Sequence, residues 1–95
     1  MNRIRFEWDR NKAALNIKRH NITFEEASTV FRDNLAVIFE DKDHSEQELR
    51  ELMIGHSNRN RLLVISFTER GDAIRLISAR RANNREQAAY EQAKR

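Results

Sequence analysis

The chain has 95 residues, of which 39% are hydrophobic and 35% are charged, and its formal net charge is +3. This length supports one domain spanning residues 1–95 with a modest core, and the basic balance favours an anionic partner if the charges gather on one face. The absence of cysteine excludes disulfides and thiolate zinc sites. No stretch is apolar enough for a signal peptide or a membrane span, so we expect a cytoplasmic domain with no membrane partner.

The first third of the chain predicts a strand followed by two helices. Apolar residues alternate with charged ones over Arg3–Trp8, which is the period of a half-buried strand. Asp9 is the predicted N-cap of a helix over 10–20, and a second helix begins after Thr23, which forms a predicted capping box with Glu26. The residues predicted to face inward from the first helix are Ala14, Leu15 and Ile17.

The rest of the chain predicts four strands and a closing helix that begins at Asn83. One of these strands is ambiguous, because its glutamate and leucine residues favour a helix whereas its apolar run before a glycine favours a strand, which we prefer. The predicted order is βααββββα, an α+β domain in which three helices pack against one face of a mostly antiparallel sheet of about four to five strands. The four strands are Leu35–Phe39, the ambiguous Glu48–His56, Arg61–Thr68 and Ala73–Ala79.

The junction between the last strand and the last helix, Ile74–Tyr90, carries four arginines. Guanidinium groups suit phosphate oxygens, so Arg75, Arg80, Arg81 and Arg85 predict a phosphate site, while the alternative for such a junction alone is a solvated edge. Regular alternation would point Arg75 and Arg80 to opposite faces of the strand. We therefore expect Arg80, more than Arg75, to contact the substrate.

Two other groups of polar residues admit a functional and a structural interpretation. Lys12, Asn16 and His20 lie on one stripe of the first helix, which either faces a substrate or forms a surface row. Arg61 begins a central strand, where it either belongs to the site or forms a salt bridge with Glu48 or Glu51. Glu86 is first a helix cap and second a general base.

The chain shows no motif for a metal or an organic cofactor, and we predict none. Its histidines are spread out, and the only local cluster with metal-ligand chemistry surrounds His44. RNA cleavage needs no metal if the 2′-hydroxyl attacks its own phosphate, because the protein then supplies a base, an acid and cations that stabilise the phosphorane. The composition permits this chemistry without selecting it.

Short motifs with a consistent order and spacing run almost from end to end of the chain. In these motifs, the chain resembles the BrnT family of bacterial type II toxins, which have a RelE-like fold. It departs from the family at Arg19-His20-Asn21, where the usual residues are Lys-His-Gly, so the titratable lysine is replaced by arginine. The matching residues are F-E-W-D at Phe6–Asp9, Lys12, Asn16, His20, T-F-E-E-A at Thr23–Ala27, Phe31, Asp33, Asp41, His44, Glu48–Arg50, Gly55, Arg61, Leu63–Ile65, Ile74–Arg80, Arg85, Glu86 and Tyr90.

The resemblance implies a ribonuclease toxin that blocks translation by cleaving RNA. It also implies a BrnA-like antitoxin encoded beside the toxin, which neutralises it in a hetero-oligomer and binds operator DNA. We expect the catalytic residues to be Arg80, Arg61, Lys12 and His20, and the substrate-binding residues to be Arg75, Arg81, Asn16 and Arg85.

Two alternatives to a nuclease remain open from the sequence alone. A non-catalytic nucleic-acid binding module is one, but the second helix carries Glu25, Glu26 and Asp33, which would repel a DNA groove. A protein-binding module is the other, since an edge strand such as Arg3–Trp8 could accept a partner strand or helix.

Overall fold

The computed structural model describes residues 4–44 and 48–93 and confirms the order βααββββα. Short 3-10 turns follow the second helix and the second strand, at Val30–Arg32 and Lys42–His44. The predicted first strand begins at Arg5, while Arg3 lies outside the described residues. The elements are β1 (Arg5–Trp8), α1 (Arg10–His20), α2 (Phe24–Thr29), β2 (Val37–Glu40), β3 (Glu51–His56), β4 (Leu62–Arg70), β5 (Ala73–Arg81) and α3 (Asn84–Ala93).

The five strands form one sheet in the order β1-β5-β4-β3-β2. Three neighbouring pairs are antiparallel, and β1 runs parallel to β5 at one edge. Gly71 closes the tight turn between β4 and β5 with a φ of +59°, a conformation that glycine adopts without steric cost. The predicted mostly antiparallel sheet is therefore confirmed, with β1 and β2 at its two edges.

The helices pack on both faces of the sheet, so the prediction that they share one face is wrong. Phe24 of α2 belongs to the larger core cluster with Leu63 and Ile65, whereas Tyr90 of α3 packs with Ile54 and Val64. Adjacent strand residues point to opposite faces, so α3 must lie on the other side of the sheet from α2. Both faces of β3 and β4 are therefore covered by helices, so successive residues of these strands are buried, which explains their nearly continuous apolar sequences.

The inward face of α1 also differs from the prediction. Leu15 and Ile17 are 42% and 46% exposed, Ala14 is exposed, and the buried residue of α1 is Asn16. Ala13 packs partly against the larger core cluster. The helix therefore turns a small and a polar side chain toward the sheet: Ala13 packs against the core, and Asn16 bonds to the strand backbone of Ala79.

The helix ends follow the sequence closely. Asp9 caps α1 by accepting from the backbone N–H groups of Asn11 and Lys12, and Asn21 ends the helix in the left-handed conformation at φ 57°. The backbone N–H of Asn83 donates to Oε1 of Glu86, and the backbone N–H of Glu86 donates to Oδ1 of Asn83, both at 2.9 Å. These two bonds confirm the predicted capping box of α3.

Gly55 in β3 is a position where no side chain fits. A Cβ there would lie 2.9 Å from Cγ1 of Val30, 3.0 Å from Cβ of Ala36 and 3.1 Å from Oδ2 of Asp33. The glycine therefore lets the segment that precedes β2 approach the sheet closely, and it brings the Asp33 carboxylate to the end of β3.

Candidate active site

A bulge in β5 changes which arginines share a face of the sheet. The cross-strand partners of Arg80, Ser78 and Arg75 are Val64, Ser66 and Thr68, so Ile77 is left as an extra residue between the pairs Ser66–Ser78 and Phe67–Leu76. The β4 partners alternate regularly and lie on one face, so Arg75, Ser78 and Arg80 also lie on that face. The predicted opposition of Arg75 and Arg80 is therefore wrong, because the bulge inserts one residue into the strand and restores their common direction.

A pocket of about 200 Å³ opens between α1 and the part of β5 that contains the bulge. It brings together the predicted stripe of Lys12, Asn16 and His20, which the helix presents on successive turns. Its polar side also includes Arg19 and Ser78, and Leu15 and Ile77 supply its apolar side. The structure thus places three of the eight predicted site residues around one cavity.

Asn16 anchors α1 to the edge of β5 beneath this pocket. Its Nδ2 donates to the carbonyl oxygens of Ile22 and Ala79, both at 2.9 Å, and its Oδ1 accepts from the Ala79 N–H at 3.0 Å. The β1 strand pairs with β5 only as far as Leu76. The buried amide therefore takes the place of a neighbouring strand for Ala79, which fixes the helix over the bulge.

The cations of the pocket are available to a ligand. Lys12, Arg19 and His20 are exposed and form no ion pair with any of the described residues. Arg19 and His20 lie in the last turn of α1, where the partial negative charge of the helix end favours cations. The pocket combines uncompensated positive charge with an imidazole and a hydroxyl, which are groups that bind a phosphate and transfer a proton.

Arg61 lies elsewhere and is held by a carboxylate. Its Nε donates to Oε2 of Glu26 at 2.8 Å, its Nη2 donates to Oε1 of the same residue, and Ser57 donates to Oε2 at 2.7 Å. The Arg61 hydrogen bond holds the pKa of the Glu26 carboxyl below its ordinary value although burial opposes this.

The predicted salt-bridge partners of Arg61, Glu48 and Glu51, are wrong, because α2 turns Glu26 toward the start of β4. Thr23 caps α2 as predicted, but the Glu26 side chain is committed to this ion pair.

Arg80 is also paired, on the face of the sheet that α3 covers. Its two Nη atoms donate to the two carboxylate oxygens of Glu86 at 2.7 Å each. The hydrogen bond to Arg80 lowers the pKa of Glu86. Arg75 donates to Glu7 of β1 at 3.1 Å. The charge of both arginines is therefore largely balanced within the protein.

The remaining predicted residues lie on the surface. Arg81 and Arg85 are exposed, and neither forms an ion pair with the described part of the chain. The side chain of His44 lies outside the described residues. Within residues 4–44 and 48–93, no three histidine or acidic side chains cluster closely enough to hold a metal ion.

A second polar cluster joins three distant segments at the end of β3. The Tyr90 hydroxyl donates to Oδ2 of Asp33 at 2.8 Å, and the His56 backbone N–H donates to the same oxygen at 2.8 Å. Nδ1 of His56 lies 3.1 Å from the Tyr90 oxygen, and since that hydroxyl proton is already donated, the imidazole is the donor. Burial and then the bond to Asp33 raise the pKa of Tyr90 to about 12. This cluster secures α3 to the sheet.

Sequence reasoning missed parts of both clusters. Arg19 follows Asn16 by three residues and Lys12 by seven, so helical spacing could have added it to the stripe. Ser78 enters the pocket only through the bulge, for which the sequence has no glycine signal. The residues Asp33, His56 and Tyr90 are too far apart in the chain for any local pattern to join them.

The fold and the pocket define a small α+β protein with a cationic cavity between α1 and β5. The sequence model of the family described as "Ribonuclease toxin, BrnT, of type II toxin-antitoxin system" matches residues 8–86, and the chain belongs to this family. The resemblance identified from the sequence is therefore confirmed.

A solved structure supports the fold independently. The chain is similar to the 1.1 Å crystal structure of the Brucella abortus ribonuclease toxin BrnT, with a TM-score of 0.66 and 24% sequence identity over 86% of this chain and 100% of that one. No curated protein matches the chain significantly. Among the described residues, no helix is long and apolar enough to cross a membrane.

Proposed function

We propose that this BrnT-family chain is a metal-independent endoribonuclease that acts in the cytoplasm and blocks translation by cleaving RNA. A BrnA-like antitoxin neutralises it in a hetero-oligomer, which binds operator DNA through the antitoxin. The observation that carries the proposal is the pocket between α1 and β5, where Lys12, Arg19 and His20 remain without carboxylate partners among the described residues.

The chemistry of the pocket suits cleavage by the 2′-hydroxyl of the substrate. His20 takes the proton of that hydroxyl, whose oxygen forms a bond to phosphorus while the bond from phosphorus to the 5′-oxygen breaks. A proton returns to the departing 5′-oxygen, and the other product ends in a 2′,3′-cyclic phosphate. Lys12 and Arg19 stabilise the added negative charge on the phosphorane, and no metal is required for any of these steps.

The other predicted arginines have different roles in this proposal. Arg81 and Arg85 are exposed cations and extend the path of the RNA backbone beyond the pocket. Arg80 lies two residues beyond Ser78 on the same face of β5, so it is near the pocket. Because both of its Nη atoms bond to Glu86, it contacts the substrate only if a phosphate replaces that carboxylate. Arg61 and Arg75 are bound to carboxylates and hold the fold around the site.

The proposal is tested with purified protein free of antitoxin and a labelled single-stranded RNA in buffer containing EDTA. We expect cleavage with 2′,3′-cyclic phosphate ends, and arrest of growth with loss of RNA when the chain is induced in a bacterium that lacks the antitoxin. RNA binding without cleavage would instead identify a non-catalytic binding module, and activity that returns only with added divalent metal would contradict the metal-independent reaction.

A further inference from the structure

The edge of the sheet opposite the pocket carries an unusual concentration of exposed apolar side chains. The β2 strand is the last in the sheet and pairs only with β3 among the described strands, so the backbone groups on its outer side are open. Ile38 and Phe39 of this strand are 51% and 42% exposed. Leu35, which precedes the strand, and Leu49, which follows the loop after it, are 49% and 53% exposed. Among the described residues, four of the seven exposed large hydrophobic side chains therefore lie on or beside one edge strand, as in surfaces that bind protein partners.

The two side chains of the strand point to different faces of the sheet. Ile38 pairs with Met53, which belongs to the core under α2, and Phe39 pairs with Leu52, which packs with the cluster under α3. An open edge with an apolar side chain on each face suits an added strand, because main-chain hydrogen bonds extend the sheet while alternate side chains of the added strand contact both apolar residues.

The charge beside this edge indicates the chemistry of the partner. Glu40 of β2 lies directly opposite Glu51 of β3, and Glu51 interacts further with Glu69 of β4, so three carboxylates form a row across the end of the sheet. Like charges placed opposite each other are unfavourable. Burial of Glu51, its hydrogen bond with Glu69 and the negative charges of Glu69 and Glu40 raise the pKa of Glu51, so a cation supplied by a partner would stabilise the ionised row.

This row also argues against other occupants. RNA would be repelled by the carboxylates. A second copy of the chain would present Val37–Glu40, which contains no lysine or arginine to neutralise the row. The edge therefore fits an extended peptide segment that is both apolar and basic.

We propose that β2 is the docking edge for the antitoxin, which adds an extended strand beside Val37–Glu40 and places lysine or arginine side chains against Glu40, Glu51 and Glu69. This inference rests on the proposed function, since it assigns a surface to the antitoxin of that system. The β2 edge lies three strands away from β5, which lines the pocket, so the docking surface is separate from the residues that cleave RNA.

The test measures binding of the purified full-length chain to the antitoxin encoded beside it. An Ile38→Asp/Phe39→Asp variant removes the apolar pair, and a Glu40→Lys/Glu69→Lys variant reverses the charge of the row. Ile17→Asp is the matched control, because Ile17 is 46% exposed and lies on α1 outside the pocket. Circular dichroism shows whether each variant is folded, and hydrogen exchange of the wild-type complex reports the backbone of residues 37–40.

We expect each double variant to raise the Kd for the antitoxin about tenfold or more, while Ile17→Asp leaves it unchanged and the backbone of residues 37–40 gains protection in the complex. Folded variants that bind as tightly as wild type, with no added protection at β2, would overturn the proposal. So would dimers of the chain alone that the β2 variants dissociate. RNA cleavage by the free β2 variants is measured separately and is expected to remain, so a failure of the docking surface can be distinguished from a failure of the ribonuclease site.

Discussion

Two arginines, Arg61 just before β4 and Arg80 in β5, differ from the cations of α1 in whether the protein already balances their charge. Arg61 and Arg80 each meet a carboxylate through two hydrogen bonds, whereas Lys12 and Arg19 face an open pocket without an ion pair to the described residues. A cation that is already paired must give up its carboxylate before it can bind a phosphate. The density of arginine in a sequence therefore does not locate an anion site, because neighbouring carboxylates decide which cations are available.

The largest effect that follows from this comparison concerns Lys12. Replacing it with alanine removes a free cation from the pocket, so we expect RNA cleavage to fall about 100-fold with little change in stability. Lys18→Ala is the matched control, since Lys18 is exposed on the same helix but does not line the pocket. Cleavage rates of both variants are measured on one RNA, and equal losses in both would mean that only the total charge of the helix matters.

Among the paired cations, Arg61 depends on a single carboxylate, that of Glu26. Glu26→Ala removes the acceptor that holds Arg61 and Ser57, and we expect the free energy of unfolding to fall by about 3 kcal/mol because a mostly buried ion pair is broken. Urea denaturation measures this change. The folded fraction should still cleave RNA, and a stable but inactive variant would move Arg61 into the catalytic site.

Asn16 tests the connection between the fold and the pocket. Asn16→Ala leaves the N–H and the carbonyl of Ala79 without their buried partner, so we expect a loss of about 2 kcal/mol in unfolding free energy. If Asn16 positions α1, cleavage should fall as well, through displaced Lys12 and His20. An unchanged unfolding midpoint with lost activity would instead favour direct contact between Asn16 and the substrate, as the sequence predicted.

The smallest expected effect is the dependence of stability on pH. The pKa of Glu26 is lowered from its ordinary value of 4.5, so the ionised carboxylate contributes its full stabilisation above that pH and loses it as the pH falls through the lowered value. The difference in unfolding free energy between wild type and Glu26→Gln should therefore shrink below pH 4.5. A difference that stays constant down to pH 3, measured by urea denaturation, would contradict the role assigned to this ion pair.

The sequence predicted the fold well because its signals are local. Asp9 and Asn21 mark the ends of α1, and the alternation and apolar runs mark the strands. The burial of α1 was predicted wrongly because Leu15 and Ile17 are apolar, whereas the helix contacts the backbone of β5 through Asn16.

The candidate site was predicted only in part for a related reason. The stripe of Lys12, Asn16 and His20 is a local pattern, and the structure brings it together in one pocket. The pairing of Arg61 with Glu26 spans 35 positions, and no local pattern shows it. The bulge at Ile77 shifts the alternation of β5 by one residue, so side chains before it point to the face opposite to the one that regular alternation predicts. One inserted residue was therefore enough to misplace Arg75.

The most direct test compares His20→Ala with Arg80→Ala, using purified protein and one labelled RNA under identical conditions. The pocket account predicts that His20→Ala lowers the rate of cleavage about 100-fold or more, through the loss of proton transfer, while Arg80→Ala retains most of the wild-type activity once its folded fraction is known. Full activity in His20→Ala together with an inactive, folded Arg80→Ala would contradict it and would place the site at the junction of β5 and α3.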